Sequence, residues 1–150
     1  MLYFAYGSNL HHFQMKRRCK DSVYIKKINL KDFRLTFRSK YRAADIEPKK
    51  NSIVPGGLFE ISKSDERKLD IYEDYPILYK KFYFFYYGKK VMTYTMVKKT
   101  LFRYPTERYL NVVKQGYPQS HSETVRDCPQ LEQWGNERVL IHHLQTQREI

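Results

Sequence analysis

The sequence predicts an α+β fold, in which a small mixed β-sheet or β-barrel is packed against short helices. Two observations lead to this prediction. Several short runs rich in aromatic and β-branched residues have the pattern of strands, and the helical patterns between them do not alternate regularly with strands. The length of 150 residues and the hydrophobic content of 41% suit one domain with a core of its own.

Six segments carry the strand pattern. In the third, Phe33, Leu35 and Phe37 alternate with polar residues. The fourth is interrupted by Pro55-Gly56-Gly57, where we expect a bulge or a close approach of another part of the backbone. The last two flank Gly88 and predict a hairpin. The strands are expected at residues 2–6, 23–30, 33–37, 53–61, 79–87 and 91–97, with a polar, irregular segment at 39–52.

Three segments carry helical patterns, at residues 10–18, 62–73 and 105–116. Ser8 or Asn9 is a suitable N-cap for the first, and Ser62 with Asp65 forms a capping-box pattern at the start of the second. The third begins near a proline and ends at a glycine. Residues 119–150 are polar and weakly periodic, so a terminal helix and a loose segment both stay open. We therefore expect a domain at 1–118 and a C-terminal extension at 119–150.

The composition limits the classes of function. A net charge of +12 in an aromatic-rich chain makes nucleic-acid binding a candidate, but the basic residues are scattered in pairs, as is typical of solvated strand ends and turns. The two cysteines, Cys19 and Cys128, lie far apart, and the histidines show no metal-ligand spacing, which argues against a disulfide framework or a metal site. Without a recognisable signal peptide or an apolar run of membrane-spanning length, a cytoplasmic location is expected.

The segment YFAYGSNL, residues 3–10, is the first candidate site. A strand that runs through glycine into a helix presents unpaired backbone N–H groups and the positive end of the helix dipole, which favour a carboxylate or a phosphate. A plain strand-to-helix junction has the same pattern, so this interpretation stays open. Tyr3 and Tyr6 add hydroxyl groups beside the loop, although tyrosines at such positions are usually core residues.

Glu73 is the second candidate. It lies four residues after Leu69, on a face of the helix that should point inward, and in the last helical turn, where the dipole disfavours negative charge. Burial and the opposing dipole would both raise the pKa of the Glu73 carboxyl toward the range of a general acid or base. A helix that frays early would instead leave Glu73 solvated.

Taken in order along the chain, these segments resemble the γ-glutamylcyclotransferase family. The resemblance covers residues 1–117, and YGSNL and LDxYE are its most specific elements. The segments that carry it are YFAYGSNL, ADIEP (44–48), VPGGLFEIS (54–62), LDIYEDYPILY (69–79) and PTERYLNVVKQG (105–116).

The resemblance implies a small β-barrel with packed helices and an enzyme that cyclises a γ-glutamyl amino acid or amine to 5-oxoproline and a free amine. It implies that Glu73 is the catalytic acid/base and that the loop holds the glutamyl group. It also implies that the reaction needs no cofactor or metal, since it requires only proton transfer and oxyanion support. The expected substrate-binding residues are Tyr3, Tyr6, Gly7, Ser8, Asn9, Leu10 and Tyr109.

One departure concerns Asp74, because many relatives have glycine after the glutamate. A second carboxylate could raise the pKa of Glu73 or crowd the pocket, although adjacent side chains usually diverge, and we expect Asp74 to point to solvent. Two other functions stay open: the same fold with another γ-glutamyl substrate or a non-catalytic ligand-binding role, and a basic nucleic-acid-binding module. The expected partner is a small molecule. The sequence indicates neither the leaving amine nor the oligomeric state.

Overall fold

The computed structural model describes residues 1–120, and within them it confirms the α+β prediction. One mixed sheet of five strands is accompanied by three α-helices and a short 3-10 turn at Ser8–Leu10. The strands are β1 (Leu2–Ala5), β2 (Val23–Arg38), β3 (Ala43–Glu60), β4 (Tyr79–Tyr86) and β5 (Lys89–Met96). The helices are α1 (His12–Arg18), α2 (Lys63–Tyr72) and α3 (Glu107–Ser120).

The strand order is β2-β3-β1-β5-β4, with β1 in the middle. β1 is antiparallel to β3 and parallel to β5, which makes the sheet mixed. β2 and β4 form the edges and do not pair with each other, so within residues 1–120 the strands do not close into the barrel that the resemblance implied. No helix in this part of the chain is long and apolar enough to cross a membrane.

Strand β1 supplies alternate side chains to the two faces of the sheet. Phe4 and Tyr6 pack on one face, in a core that reaches Leu110 of α3. Tyr3 and Ala5 pack on the other face, in a core that includes Leu69 of α2 and residues of α1. The central strand therefore fixes the helices on both faces relative to the loop that follows it.

Close packing explains a glycine beside β1. A Cβ at Gly56 would lie 2.3 Å from Cε2 of Phe4 and 2.5 Å from the carbonyl oxygen of Ala5. These distances are too short for non-bonded atoms, so only glycine fits at this position. The close backbone approach that we expected at Pro55-Gly56-Gly57 is thus confirmed, and the register of β2 and β3 continues through these residues without a bulge.

Residues 23–60 form one long hairpin, which corrects two predictions. The two strands expected at 23–30 and 33–37 are one strand, because a register irregularity at Lys31/Phe33 lets β2 continue past Asp32, whose φ is +61°. The segment expected to be irregular, 39–52, belongs largely to β3, which begins at Ala43. Its residues 48–51 are exposed, so no period-two apolar pattern marks them as a strand.

The structure confirms some of the predicted helix ends and turns and corrects others. The capping box of Ser62 and Asp65 is confirmed at the start of α2. The hairpin around Gly88 is also confirmed, with β4 and β5 on either side. The first helix, however, begins at His12 with His11 as its N-cap, because the side chains of Ser8 and Asn9 have other partners. The helix expected at 105–116 is α3, which begins two residues later and continues past Gly116. The predicted extension 119–150 lies outside the described residues from position 121 onward.

Candidate active site

A cavity of about 410 Å³ opens at the carboxyl end of β1. The backbone pairing of β1 with β5 stops at Tyr3/Met92. Beyond this pair the two strands are joined through side chains: the Thr93 hydroxyl donates to the Phe4 carbonyl at 2.8 Å, and the Tyr6 hydroxyl donates to the Tyr94 carbonyl at 2.6 Å. The end of the ladder leaves room for a pocket in the middle of the sheet.

The pocket collects nearly all residues that the sequence singled out. Its wall includes, of the predicted residues, Tyr3, Tyr6, Gly7, Ser8, Asn9, Glu73 and Tyr109. Leu10 is elsewhere, since its side chain is fully buried in the core and its N–H donates to the Gly7 carbonyl at 3.0 Å. Leu10 therefore supports the shape of the loop and not its ligand surface.

The loop after β1 is a single 3-10 turn. It is closed by the bond from the Leu10 N–H and by a second bond from the His11 N–H to the Ser8 carbonyl, at 3.1 Å. In the described part of the chain, the backbone N–H groups of Gly7, Ser8 and Asn9 have no intramolecular acceptor. All three residues line the cavity, so these N–H groups are suited to an anion or a polarised carbonyl there.

Gly7 is needed for close packing and not for an unusual backbone angle, since its φ is −103°. A Cβ at this position would lie 3.3 Å from Cβ of Ala44 and 3.6 Å from the Tyr109 hydroxyl. The first distance is shorter than nearly all real contacts of a Cβ, so a side chain here would require the loop or β3 to shift by a few tenths of an ångström. Glycine therefore lets the loop lie directly against Ala44 and the Tyr109 hydroxyl.

Glu73 caps the C-terminus of α2 and places its carboxyl group against the loop. Its N–H bonds the carbonyl of Leu69 at 2.8 Å, which keeps it in the helical register, and Leu69 is fully buried below it. Oε1 of Glu73 accepts a hydrogen bond from Nδ2 of Asn9 at 3.1 Å. The loop and the glutamate, 64 residues apart in sequence, thus meet across the cavity.

Burial raises the pKa of the Glu73 carboxyl to about 7, against the opposing effects of the Arg18 guanidinium and the Asn9 hydrogen bond. The carboxyl group therefore gains and loses a proton near neutral pH, as a general acid/base must. Asp74 is exposed and adopts a left-handed φ of +51°, which turns the chain away directly after Glu73.

Four tyrosines of the wall divide into two pairs by what their hydroxyl groups do. Tyr6 and Tyr79 donate to backbone carbonyls, of Tyr94 and Ala44 respectively, each at 2.6 Å. Tyr3 and Tyr109 instead accept, from Asn9 Nδ2 at 3.0 Å and from the Ala44 N–H at 3.1 Å. Their own hydroxyl protons have no acceptor among residues 1–120, which suits them to donate to a ligand in the cavity.

Burial raises the pKa of these four tyrosines, so their hydroxyl groups stay protonated near pH 7. They can donate hydrogen bonds at neutral pH, where the carboxyl group of Glu73 exchanges its proton. Within the described residues, no group of His, Cys, Asp and Glu side chains is arranged to hold a metal ion.

Sequence reasoning missed Arg18 and Tyr72. The Arg18 guanidinium carbon lies 3.6 Å from the centre of the Tyr72 ring, and Nη2 of Arg18 donates to the Tyr72 hydroxyl at 2.6 Å. Tyr72 also lines the cavity, and its hydroxyl lies 3.3 Å from Oγ of Ser8. Arg18 is part of a basic triplet that looks like a solvated helix end, so no local signal marks it.

Comparison with known proteins agrees with the observed fold. A family model described as Gamma-glutamyl cyclotransferase, AIG2-like, matches residues 3–111. No curated protein matches the chain. A solved structure described as a Gamma-glutamyl cyclotransferase is similar with a TM-score of 0.72 and 23% identity, and the match covers 88% of this chain and 86% of that one.

Two further structures share the fold. An uncharacterized protein from Homo sapiens has a TM-score of 0.71 and 24% identity, over 87% of this chain and 85% of that one. YkqA from Bacillus subtilis has a TM-score of 0.71 and 20% identity, over 91% of this chain and 54% of YkqA. At these identities the structures establish the common fold, and the family model spans most of the sequence. The chain therefore belongs to the AIG2-like gamma-glutamyl cyclotransferase family.

Proposed function

We propose that the protein is an enzyme that cyclises a γ-glutamyl amino acid or γ-glutamylamine, releasing 5-oxoproline and the free amine, with Glu73 as general acid/base. The observation that carries the proposal is the half-buried carboxyl group of Glu73, whose pKa burial raises to about 7, facing the backbone N–H groups of a narrow loop. Family membership supports a cyclotransferase-type reaction.

The reaction is an intramolecular aminolysis, so that nucleophile and electrophile are already joined in one molecule and little further entropy is lost. The barrier to the reaction comes mainly from the proton transfers that it requires. The α-ammonium must lose a proton before its nitrogen attacks the γ-carbonyl carbon and forms the new C–N bond. As the tetrahedral adduct collapses, the nitrogen of the new ring loses a second proton, the old C–N bond breaks, and the leaving nitrogen is protonated.

Glu73 suits these proton transfers because its carboxyl group accepts and returns a proton near pH 7. The N–H groups of Gly7, Ser8 and Asn9 suit a negative charge, either on the α-carboxylate of the glutamyl group or on the oxygen of the adduct. The hydroxyl groups of Tyr3 and Tyr109 are available to donate to the same glutamyl group.

The test is 5-oxoproline release from a panel of γ-glutamyl amino acids and γ-glutamylamines, with wild type beside Glu73→Gln. We expect release by the wild type and a fall of kcat/KM by about 10²- to 10⁴-fold in the variant, the usual contribution of a general acid/base. Glutamine keeps the size of the side chain and matches the protonated carboxyl group, so the thermal melt at pH 4 should change little.

Glu66→Gln is the matched control. Glu66 is on the same helix, but its carboxylate pairs with Nζ of Lys81 at 2.9 Å outside the cavity wall. Full activity in this variant and loss in Glu73→Gln support the proposal. Equal activity of Glu73→Gln and wild type would contradict the role of Glu73. No release from any substrate, with melting temperature still raised by a γ-glutamyl compound, would indicate a ligand-binding role instead.

A further inference from the structure

The Arg18 side chain is held at four points, and all of them are protein atoms. Nη1 donates to Oγ of Ser8 at 3.1 Å and to Oδ1 of Asn9, and Nη2 donates to Oε1 of Gln14 at 3.1 Å and to the Tyr72 hydroxyl at 2.6 Å. Both terminal nitrogens therefore have both of their protons engaged. With its plane also stacked on Tyr72, the guanidinium is a fixed part of the pocket and not a free cation for a substrate.

An arginine has only donors, and this decides how the neighbouring Asn9 must point. The amide of Asn9 is nearly inaccessible to solvent, with an exposed fraction of 3% for the residue. Because Nη1 of Arg18 can only donate, the side of the amide that faces it must be the carbonyl oxygen. The amino group of Asn9 then faces the opposite side, where its two protons reach the Tyr3 hydroxyl at 3.0 Å and Oε1 of Glu73 at 3.1 Å.

The opposite orientation of the amide would remove that donor from Glu73. It would place the NH₂ group of Asn9 against the guanidinium, where two donors meet, and its carbonyl oxygen against Oε1 of Glu73, where two acceptors meet whenever Glu73 is ionised. We propose that Arg18 is a positioning residue, which fixes the amide of Asn9 so that Nδ2 donates to Glu73, and that it acts through Asn9 without contacting the substrate. This inference rests on the proposed function for its catalytic meaning, but the orientation itself is independent of any reaction.

Several charged or titratable groups surround Glu73, so a test must separate the effect of the Arg18 charge from its effect on the orientation of Asn9. Arg18 comes from α1 and is the one cation whose charge opposes the rise in the pKa of Glu73. The other titratable neighbours are the adjacent Asp74 and tyrosines of the cavity wall, namely Tyr3, Tyr6, Tyr72, Tyr79, Tyr94 and Tyr109. Loss of Arg18 thus removes both a charge and an orientation, and the experiment has to distinguish them.

NMR on the full chain makes this distinction without any substrate. The ¹³C carboxyl signal of Glu73, assigned by its loss in Glu73→Gln, is followed from pH 4 to 9 together with the side-chain NH₂ signals of Asn9. In the wild type, the Asn9 signals should move with the same midpoint as Glu73, because Nδ2 donates to Oε1. In Arg18→Met, that coupled movement should fall by more than half, while the Glu73 midpoint moves upward.

Arg17→Met is the matched control, since it removes the same charge from the neighbouring, exposed position of the same helix. It should leave the coupled movement unchanged. Arg18→Gln keeps a planar group that can either donate or accept, so it should weaken the coupling even if Arg18→Met does not fold. Unchanged Asn9 coupling in a folded Arg18→Met or Arg18→Gln protein, with only a shifted Glu73 midpoint, would overturn the proposal and leave Arg18 a purely electrostatic role.

Turnover gives the second measurement and separates the two proposals. With a substrate that the wild type converts, Arg18→Met should lower kcat about tenfold and Arg17→Met should have no effect. Absence of turnover in every protein, wild type included, would count against the proposed function, while the NMR titration would still decide the role of Arg18.

Discussion

Asp45 and Glu73 are both shielded from solvent to a large extent, but their surroundings differ. Asp45 on β3 is completely buried. Its Oδ1 accepts from the Thr95 hydroxyl at 3.1 Å and from the Met96 N–H at 2.9 Å. Its Oδ2 lies 2.8 Å from Nζ of Lys99 and 3.0 Å from Nε of Arg38. Two hydrogen bonds and two ion pairs thus tie β3 to β2 and to the end of β5.

The carboxyl group of Glu73 has a single hydrogen-bond donor among the described residues. Within residues 1–120 this donor is Asn9, and Arg18, whose charge lowers the pKa of Glu73, makes no hydrogen bond to it. A carboxylate that is surrounded by donors and cations holds elements together, whereas one that is buried with a single donor keeps a proton near neutral pH. The same residue chemistry therefore serves structure at Asp45 and suits proton transfer at Glu73.

The largest loss of stability is expected for Asp45→Asn. The amide would place an NH₂ group or an uncharged oxygen against Arg38 and Lys99, and the buried Arg38 guanidinium would keep only its second ion pair, with Glu47 at 3.0 Å. We expect a loss of about 3–5 kcal/mol in the free energy of unfolding, measured by urea denaturation. Lys99→Met is the control: its lysine is 41% exposed, so the loss should stay below about 1 kcal/mol. A loss below 1 kcal/mol in Asp45→Asn would mean that the cluster does not hold the strands.

Glu73→Gln should have the opposite effect on stability, and only above acidic pH. The folded state raises the pKa of Glu73 to about 7, whereas the unfolded chain has the ordinary value of about 4.3. A raised pKa means that Glu73 makes its full contribution to stability below about pH 4. That contribution decreases as the pH rises to 7, because ionisation then favours the unfolded chain.

The two proteins should therefore be equally stable at pH 4, and Glu73→Gln should be more stable by about 3–4 kcal/mol at pH 8. Urea denaturation of both proteins at several pH values measures this difference, and taking the difference removes the contributions of all other groups. Equal stabilities across the whole range would show that the carboxyl group is solvated and that its pKa is ordinary.

Local patterns in the sequence were enough to predict the two sides of the pocket. The capping box at Ser62 places α2, and from there the spacing of Leu69 and Glu73 predicts a carboxylate on the buried face. The glycine after β1 predicts an open loop. The meeting of loop and glutamate could not be read from spacing alone, and the family resemblance supplied it.

What the sequence did not reveal depends on contacts between distant residues. Arg18 and Tyr72 are 54 positions apart, and each looks like a solvated side chain until α1 and α2 pack side by side. The first part of β3 was missed for a related reason, because its exposed residues pair with β2 without burying an apolar face. There the hydrogen bonds of the ladder, braced by Asp32 Oδ1 accepting from the Asn51 N–H at 3.0 Å, replace the hydrophobic pattern.

The smallest change in stability is expected for two tyrosines that hydrogen-bond the backbone of the same residue, Ala44. Tyr79 donates to the Ala44 carbonyl, and Tyr109 accepts from the Ala44 N–H. Phenylalanine at either position removes one hydrogen bond to Ala44, so Tyr79→Phe and Tyr109→Phe should each lower the free energy of unfolding by about 1 kcal/mol.

Activity should separate this matched pair where stability does not. The hydroxyl proton of Tyr79 is already given to the backbone, while that of Tyr109 is available to the glutamyl group. Loss of one neutral hydrogen bond to substrate corresponds to about a tenfold fall in kcat/KM for Tyr109→Phe, against less than twofold for Tyr79→Phe. Equal falls in both variants would mean that each tyrosine affects turnover only through the position of Ala44, and that the donor for the substrate lies elsewhere on the pocket wall.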